Sequence, residues 1–250
     1  MRVAVLNDIH GNLPALEAVL AEARAAGVDH VIVGGDVVPG PMMGETVDLL
    51  RALEISVEFL HGNGETATLH AMSGRDDPRV PEAYRPLMRW TAARLEGKHG
   101  AFLAGWPKTL RLLVGGIGEV VFCHATPRDD NEVFTKLTPD ELIRPMFDGV
   151  TAQLVVCGHT HMPFDRMLGS TRIVNSGSVG MPFGTPGADW LLLGPDVEFR
   201  HTEYDRDAAA ARIRATDYPD AEAFAAQYVL NPPTEARMLE AFTAASLAKK

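Results

Sequence analysis

Three observations place this chain in the α/β class. Over the first sixty residues, short β-branched apolar runs alternate with apolar residues at helical spacing, in the order strand, helix, strand, helix, strand. The later half is richer in strands, which flank glycine-centred turns, and polar residues collect where the apolar runs end. Such alternation builds a parallel sheet covered by helices. Composition permits a substantial core: 46% hydrophobic and 22% charged residues over 250 positions are close to globular averages, and a chain of this length buries roughly 70% or more of its unfolded surface.

The elements follow in order. Val3 to Leu6 is a short apolar strand ending at Asn7-Asp8. Asn12 suits a helix cap and Pro14 its first turn, Leu16, Val19, Leu20 and Ala23 recur at helical spacing, and Gly27 stops the helix. Val31 to Val33 is a second strand ending in Gly34-Gly35-Asp36; Thr46 to Leu53 reads as a helix; Val57 to Leu60 is a third strand ending in His61-Gly62-Asn63. Residues 66 to 110 break the rhythm with Arg, Pro and Ala and read as a helical insertion, helical around Pro86 to Leu95, that could cap a site. Leu110 to Val114 and Glu119 to Cys123 flank Gly115-Gly116 as a hairpin. Thr138 to Phe147 is expected as a helix capped by Thr138, with Pro139 first and Glu141 completing a capping box. Leu154 to Cys157 is a buried strand ending at Gly158-His159. Two more hairpins follow, Phe164 to Leu168 with Thr171 to Val174, and Leu191 to Leu193 with Val197 to Tyr204. Residues 1–204 thus form one domain, and 205–250 an Ala-rich helical extension broken at Pro219 and Pro232-Pro233, with a fraying end at Ala248-Lys249-Lys250.

The net charge of −10 has the wrong sign for non-specific nucleic-acid binding, which works by neutralising phosphates. Cys123 and Cys157 lie in apolar runs and are too few for a disulfide framework, so buried thiols in a reducing, cytoplasmic setting are expected. No apolar run is long enough to span a membrane.

The strand ends carry the chemistry. The first offers Asp8 and His10, the second Asp36, the third Asn63, a later one His124, and another His159 and His161. Asp8 and His10, like His159 and His161, are two apart, so a strand would aim each pair the same way. Each residue alone has an ordinary reading as a cap, a turn residue or a hydrogen-bonded histidine. Together they need five unrelated explanations, whereas carboxylate and imidazole suit Mn, Fe, Zn, Ni or Mg in one stroke. Seven candidates exceed the four ligands of a single zinc but suit two divalent ions about 3.5–4 Å apart. Two such ions neutralise phosphate oxygens and lower the pKa of a bound water, whose hydroxide attacks phosphorus in line with the leaving oxygen.

The segments Asp8-Ile9-His10-Gly11-Asn12, Gly35-Asp36-Val37-Val38-Pro39-Gly40, Gly62-Asn63-Gly64-Glu65, Cys123-His124-Ala125 and Gly158-His159-Thr160-His161 occur in that order. The chain thereby resembles the calcineurin-like metallophosphoesterases, in particular their small bacterial and archaeal phosphodiesterase branch, over about residues 1–204. Asn175 to Gly180 is similar to the stretch following the last ligand, with Ser176 where proline is usual. The resemblance implies a two-sheet αββα sandwich with the site on one edge. It implies Asp8, His10 and His161 on the first metal, Asn63, His124 and His159 on the second, and Asp36 between them.

One position departs from the pattern. Phosphomonoesterase members carry a histidine after the Asn, resembling a general acid, and here that residue is Gly64. General acid help is worth about 10²–10⁴ in rate, and the phosphodiesterase branch often lacks this histidine. His61, His70 and His99 are candidate substitutes, each equally an ordinary surface or turn histidine. The acid following Gly64, Glu65, resembles a residue that orients ligands from behind, and equally suits a solvated loop acid. Arg75, Arg79, Arg85, Arg89 and Arg94 could clamp a second phosphate or form a solvated face. Tyr84, Trp90 and Trp106 could stack on a base or pack as core. The expected activity is metal-dependent hydrolysis of a nucleotide or other small phosphate ester. A phosphoprotein phosphatase, or a catalytically weak scaffold on the same fold such as the retromer subunit, are the alternatives. The C-terminal helices could dock on the core or mediate a dimer, and the oligomeric state stays open.

Overall fold

The computed structural model describes residues 1–95, 97 and 99–248, with side chains to residue 244. Ten strands form two mixed five-stranded sheets. The first has the order β10-β9-β1-β2-β3, from β1 (Val3–Leu6), β2 (His30–Val33), β3 (Ser56–Phe59), β9 (Ala188–Leu193) and β10 (Val197–Thr202). The second has the order β4-β5-β6-β8-β7, from β4 (Thr109–Val114), β5 (Gly118–Cys123), β6 (Leu154–Cys157), β7 (Phe164–Leu168) and β8 (Thr171–Asn175). β1, β2 and β3 run parallel, as do β5, β6 and β8, and the three predicted hairpins pair antiparallel.

The sheets pack face to face. Val3, Val5, Ile32 and Leu191 of one meet Phe122, Leu154, Val156 and Val174 of the other in one buried cluster. The outer face of the first sheet is covered by α1 (Leu13–Ala25) and α2 (Met43–Arg51), through Leu16, Val19, Val47 and Leu50. Ile143 and Phe147 cover the second. β1 and β6 are central and wholly buried. That explains their continuous apolar runs, since a strand covered on both faces cannot alternate.

Several local expectations hold for the stated reasons. The Asn12 side chain accepts the Ala15 N–H at 3.3 Å and Pro14 sits in the first turn of α1. Cys123 and Cys157 are free and buried, and burial pushes both thiols up. α3 (Asn63–Met72), α4 (Arg85–Leu95) and α5 (Gly100–Ala104) occupy the stretch read as an insertion. The C-terminal stretch breaks where its prolines stand, into α7 (Arg206–Arg214), α8 (Ala221–Phe224), a π-helix (Ala225–Leu230) and α9 (Glu235–Ala248). It docks on the core: Ala209, Ile213 and Phe224 share a cluster with Leu13 and Met42. α9 runs through Ala248, and the expected fraying at Lys249-Lys250 lies outside the described residues.

One helix differs from its sequence reading. Instead of a single helix over 138–147, α6 (Asp140–Ile143) passes into a 3₁₀ turn at Arg144–Phe147. The Thr138 hydroxyl accepts the Thr135 N–H at 2.9 Å and so closes the preceding turn rather than capping the helix. Pro145 has no N–H to continue the α ladder, and the chain tightens there. No helix among the described residues is long and apolar enough to cross a membrane.

Phe122 is 1% exposed at the inter-sheet centre, two residues before His124. Phe122→Ala is expected to lower the unfolding free energy by about 3–5 kcal/mol in urea titrations.

Candidate metal centre

The site lies beyond the carboxyl ends of β1, β2, β3, β5 and β6, where the parallel strands of both sheets finish at one edge. β1 ends at Leu6 and β6 at Cys157, so Asp8, His10, His159 and His161 stand past their strands. Strand alternation therefore does not aim them, contrary to the sequence argument. Their backbone does. Asp8, His10, Asp36, His159 and His161 have φ between 48° and 67°, and they are the only non-glycine residues with positive φ among those described. Such conformations cost about 1–3 kcal/mol each and persist where surrounding contacts over-determine them.

Those contacts are visible. Backbone bonds tie Asp8 N to Gly35 O at 3.0 Å and His10 N to Asp36 O at 2.8 Å, stitching the two loops together. The Asp8 carbonyl accepts from the Ser178 hydroxyl at 2.7 Å and from Gly180 N at 3.0 Å. Asn12 Nδ2 donates to Gly180 O at 2.9 Å, and Asn175 Nδ2 to Gly158 O. The Asn175–Gly180 stretch thus braces the Asp8 loop. Ser178 and Asn175 carry no role in the sequence reading, although their stretch stands out as a motif, and Asn12 bonds to Gly180 in addition to its expected cap role.

Six of the seven residues converge by distance. His10 Nε2 and His161 Nε2 face each other at 3.3 Å. Asp8 Oδ1 is 3.2 Å from His161 Nε2, 3.8 Å from His124 Nε2 and 4.0 Å from His10 Nε2. Asp36 Oδ2 is 3.7 Å from His10 Nε2, while its Oδ1 is 3.5 Å from His124 Nε2. Asn63 Oδ1 is 3.0 Å from His124 Nε2. Two cation-sized groupings result, Asp8 with His10 and His161, and Asp8 with Asp36 and His124. The first is the trio expected from sequence. The second draws on Asp8 as well as Asp36. His159 lies beside it, its ring centroid 5.1 Å from that of His124.

The donor set fits divalent cations. Nδ1 of His124, His161 and His10 each faces a backbone carbonyl, of Gly34 at 3.0 Å, Met181 at 2.8 Å and Pro39 at 3.3 Å. A proton held there leaves each Nε2 lone pair aimed inward, the arrangement that metal-binding histidines use. Asp8 Oδ1 and His159 Nε2 are buried with no hydrogen-bond partner, and orphaned polar atoms of this kind call for an explanation. The charges ask for the same thing. Burial alone would raise the Asp8 carboxyl, but His161, His124 and His10 hold it well below the carboxylate range. Burial opposes charge on His124, yet Asp36 and Asp8 lift it to about 9; burial, with His124 beside it, depresses His159 to about 3. The carboxylates thus favour positive charge at His124, where a cation between them would supply it.

Glu65 resolves its two readings in favour of a bracing role. It is fully buried at the start of α3. Its Oε1 accepts from Val37 N at 2.8 Å and Val38 N at 3.1 Å; its Oε2 accepts from Asp36 N and Gly62 N, both at 2.8 Å. Burial and Asp36 push it up to about 7, against the donors of Gly62, Val38 and Asp36. Four N–H donors on two oxygens leave no lone pair for a proton, so the geometry argues for the carboxylate. Glu65 ties the Asp36 loop to the turn that presents Asn63.

Gly64 has a physical reason of its own. Its N–H donates to Asp36 Oδ1 at 2.7 Å, and a Cβ there would lie 2.1 Å from the Val38 carbonyl oxygen. The backbone has closed over the place where a general-acid histidine would stand. The suggested substitutes do not face the site. His61 Nε2 bonds to Leu103 O at 2.6 Å and His99 to Asp48 at 3.1 Å, and neither they nor His70 line the adjoining cavity.

Of the arginine row, only Arg79 lines that cavity. Arg89 and Arg94 pair with Asp76 and Asp217, and Arg85 donates to Val80 O. Trp106 stacks on Phe59 as core, whereas Tyr84 faces the cavity. Tyr218, Phe224, Gln227 and Tyr228 of the C-terminal stretch also line it. Sequence reasoning missed them, because nothing local in an Ala-rich helical segment marks a cavity wall.

Comparison with known proteins agrees with this architecture. The chain belongs to the calcineurin-like phosphoesterase superfamily: the model of that superfamily's domain matches residues 1–194. As a member, it is a metal-dependent phosphoesterase by family. It is 28% identical over 240 residues to the Methanocaldococcus jannaschii protein MJ0912, covering 87% of this chain and 94% of that one. A metallophosphoesterase from Sphaerobacter thermophilus superposes with a TM-score of 0.70 at 26% identity, covering 92% of this chain and 99% of that one. The Pyrococcus horikoshii protein PH1004 shares the fold, with a TM-score of 0.73 at 22% identity over 93% of this chain and 99% of that one.

Two substitutions test the bracing. Glu65→Ala strips four buried N–H groups of their acceptor and is expected to cost at least about 3 kcal/mol in urea unfolding. It should also weaken Mn²⁺ binding about 10–100-fold by calorimetry. Gly64→Ala should weaken Mn²⁺ binding as well, while Gly115→Ala, with nothing within 4 Å of its Cβ, should stay within about 0.5 kcal/mol of the parent.

Proposed function

We propose that this phosphoesterase hydrolyses phosphodiesters at a centre of two divalent cations. The observation that carries the reading is the division of Asp36, with Oδ2 toward His10 and Oδ1 toward His124. A carboxylate placed so suits a bridge between two cation positions. Asp8, His10 and His161 would hold one cation; Asn63, His124 and His159 would hold the other. Asp8 Oδ1 lies within reach of both groupings. Zn, Fe and Ni suit the imidazoles of this set, and Mn and Mg its carboxylates. Bound cations neutralise phosphate oxygens and make water a nucleophile near neutral pH.

The residues themselves define the rest. His10, Asp36, Asn63 and Gly64 floor the cavity, so a phosphate resting there meets the cation-binding groups directly. The Asn63 amide is positioned by its approach to His124 and by its place at the start of α3. With Gly64 in the acid's place, and His61, His70 and His99 away from the cavity, none of these positions offers a histidine to protonate a departing alkoxide. Hydrolysis then favours esters whose leaving oxygen departs without a proton. The absent acid speaks against phosphoserine and other poor-leaving-group monoesters. A scaffold role would leave the orphaned Asp8 Oδ1 and His159 Nε2 as a cation site without turnover.

Protein loaded with Mn²⁺ is expected to turn over bis-p-nitrophenyl phosphate, and Asp36→Ala to abolish that turnover. Replacing the p-nitrophenolate leaving group by an alkoxide should slow the reaction by the full difference in intrinsic reactivity, without the roughly 10²–10⁴-fold recovery that a general acid supplies. Absence of turnover on this ester, on a nucleotide panel and on phosphopeptides, with metal demonstrably bound, would sink the enzymatic reading in favour of the scaffold.

A further inference from the structure

The insertion and the C-terminal stretch, far apart in sequence, meet above the cation-binding groups and enclose a cavity of about 420 Å³. That is the size of a small-molecule site. Its floor is polar, but its walls are chiefly carbon: Tyr84 and Leu87 from one side, Tyr218, Phe224 and Tyr228 from the other. The C-terminal wall is a connected aromatic row. Tyr218 and Phe224 lie edge to face with centroids 6.0 Å apart, Phe224 and Tyr228 at 5.5 Å, and Trp90 supports Tyr218 from behind at 5.6 Å. The π-helix at Ala225–Leu230 carries Gln227 and Tyr228 to the cavity, and π-turns recur at functional sites. Tyr84 is 59% exposed at the opposite wall, with no ring partner among the described residues. Burial, and then the Tyr84 phenol across the cavity, raises Tyr228.

Charge narrows what such a cavity takes. Arg79 is the only lysine or arginine among the described lining residues. Its guanidinium is bound by Asp77 at 2.8 Å and Asp130 at 2.6 Å, both carboxylates being nearly inaccessible. Asp77 and Asp220 line the cavity too. A second phosphate, or any further anion, would meet carboxylates and a spent arginine. A flat neutral ring would meet aromatic faces.

We infer that the cavity between Tyr84 and Tyr228 is a recognition subsite for the organic group of the ester, selecting one that is flat, aromatic and uncharged. This rests on the hydrolytic reading above and adds to it the part of the substrate that the cations do not touch. Tyr84 and Tyr228 are specificity residues, and they act on affinity for the group rather than on the bond broken.

The test compares three monoester ligands of equal charge, methyl phosphate, phenyl phosphate and thymidine 5′-phosphate, by calorimetry on the full chain loaded with Mn²⁺. Turnover of bis-p-nitrophenyl phosphate is followed on the same preparation. Aromatic stacking predicts that thymidine 5′-phosphate binds about tenfold or more tighter than methyl phosphate. That ratio should collapse toward one in Tyr84→Ala and Tyr228→Ala and survive in Tyr84→Phe and Tyr228→Phe. Tyr84 is exposed, so its truncation does not threaten folding. Phenyl phosphate matching thymidine 5′-phosphate would assign the subsite to aryl groups in general; phenyl phosphate matching methyl phosphate would assign it to a nucleobase. Equal affinity for all three, or a ratio indifferent to both alanine variants, overturns the inference, and turnover intact in that preparation leaves the hydrolytic reading standing. Neither turnover nor binding of any of the three removes the hydrolytic reading and the subsite with it.

Discussion

Three carboxylates, Asp8, Asp36 and Glu65, sit almost fully shielded from water within one small region. Among the described residues no lysine or arginine pairs with any of them. Uncompensated charge in such a place costs several kcal/mol per ion. The protein disposes of it in two ways. Glu65 is quenched by four backbone N–H groups, and its charge is thereby converted into loop rigidity. Asp8 and Asp36 are left facing the imidazoles of His10, His124 and His161, a donor set that accepts cations. Much of the edge architecture follows from that division. Glu65 ties the loops together, and the other two carboxylates lie in buried clusters with histidines.

Backbone conformation carries the second half of the design. Ligands that stood on the strands would point up and down, and only alternate ones would face the site. By turning left-handed just past the strands, the chain folds Asp8, His10, Asp36, His159 and His161 back across the sheet edge. The turn also lets other loops come close. A Cβ at Gly158 would sit 2.3 Å from Asp8 Oδ2. The two sheets therefore interlock at their ends through side chains and backbone as well as through the apolar layer between them.

Much of this was legible in the sequence. The strand-helix alternation, the hairpins and the buried central strands announce themselves because periodicity and glycine turns are local signals. Asp8, His10, Asp36, Asn63, His124 and His161 stand out because five strand ends each carry a metal-suited group in order, and the structure brings these six together. What misled was the step from spacing to direction: Asp8-x-His10 reads like a strand pair and is in fact a left-handed turn. Thr138 likewise carried a cap signature that a competing bond to Thr135 N diverted. The cavity wall was illegible for a different reason. Tyr218, Phe224 and Tyr228 come to the site through packing of Ala209 and Ile213 against Leu13 and Met42, and long-range packing leaves no mark on local periodicity.

The left-handed positions also restrict what the site can become. At φ near +50°, glycine, asparagine, aspartate and histidine are tolerated, whereas longer or branched side chains are strained. Five of the seven inward-facing polar residues stand on such backbone. Valine, isoleucine and threonine are the residues these positions tolerate least. A substitution there therefore acts twice, once on the donor atom and once on the turn that aims it. The torsion angles of a few residues thus tie the donor chemistry of the site to the shape of its loops.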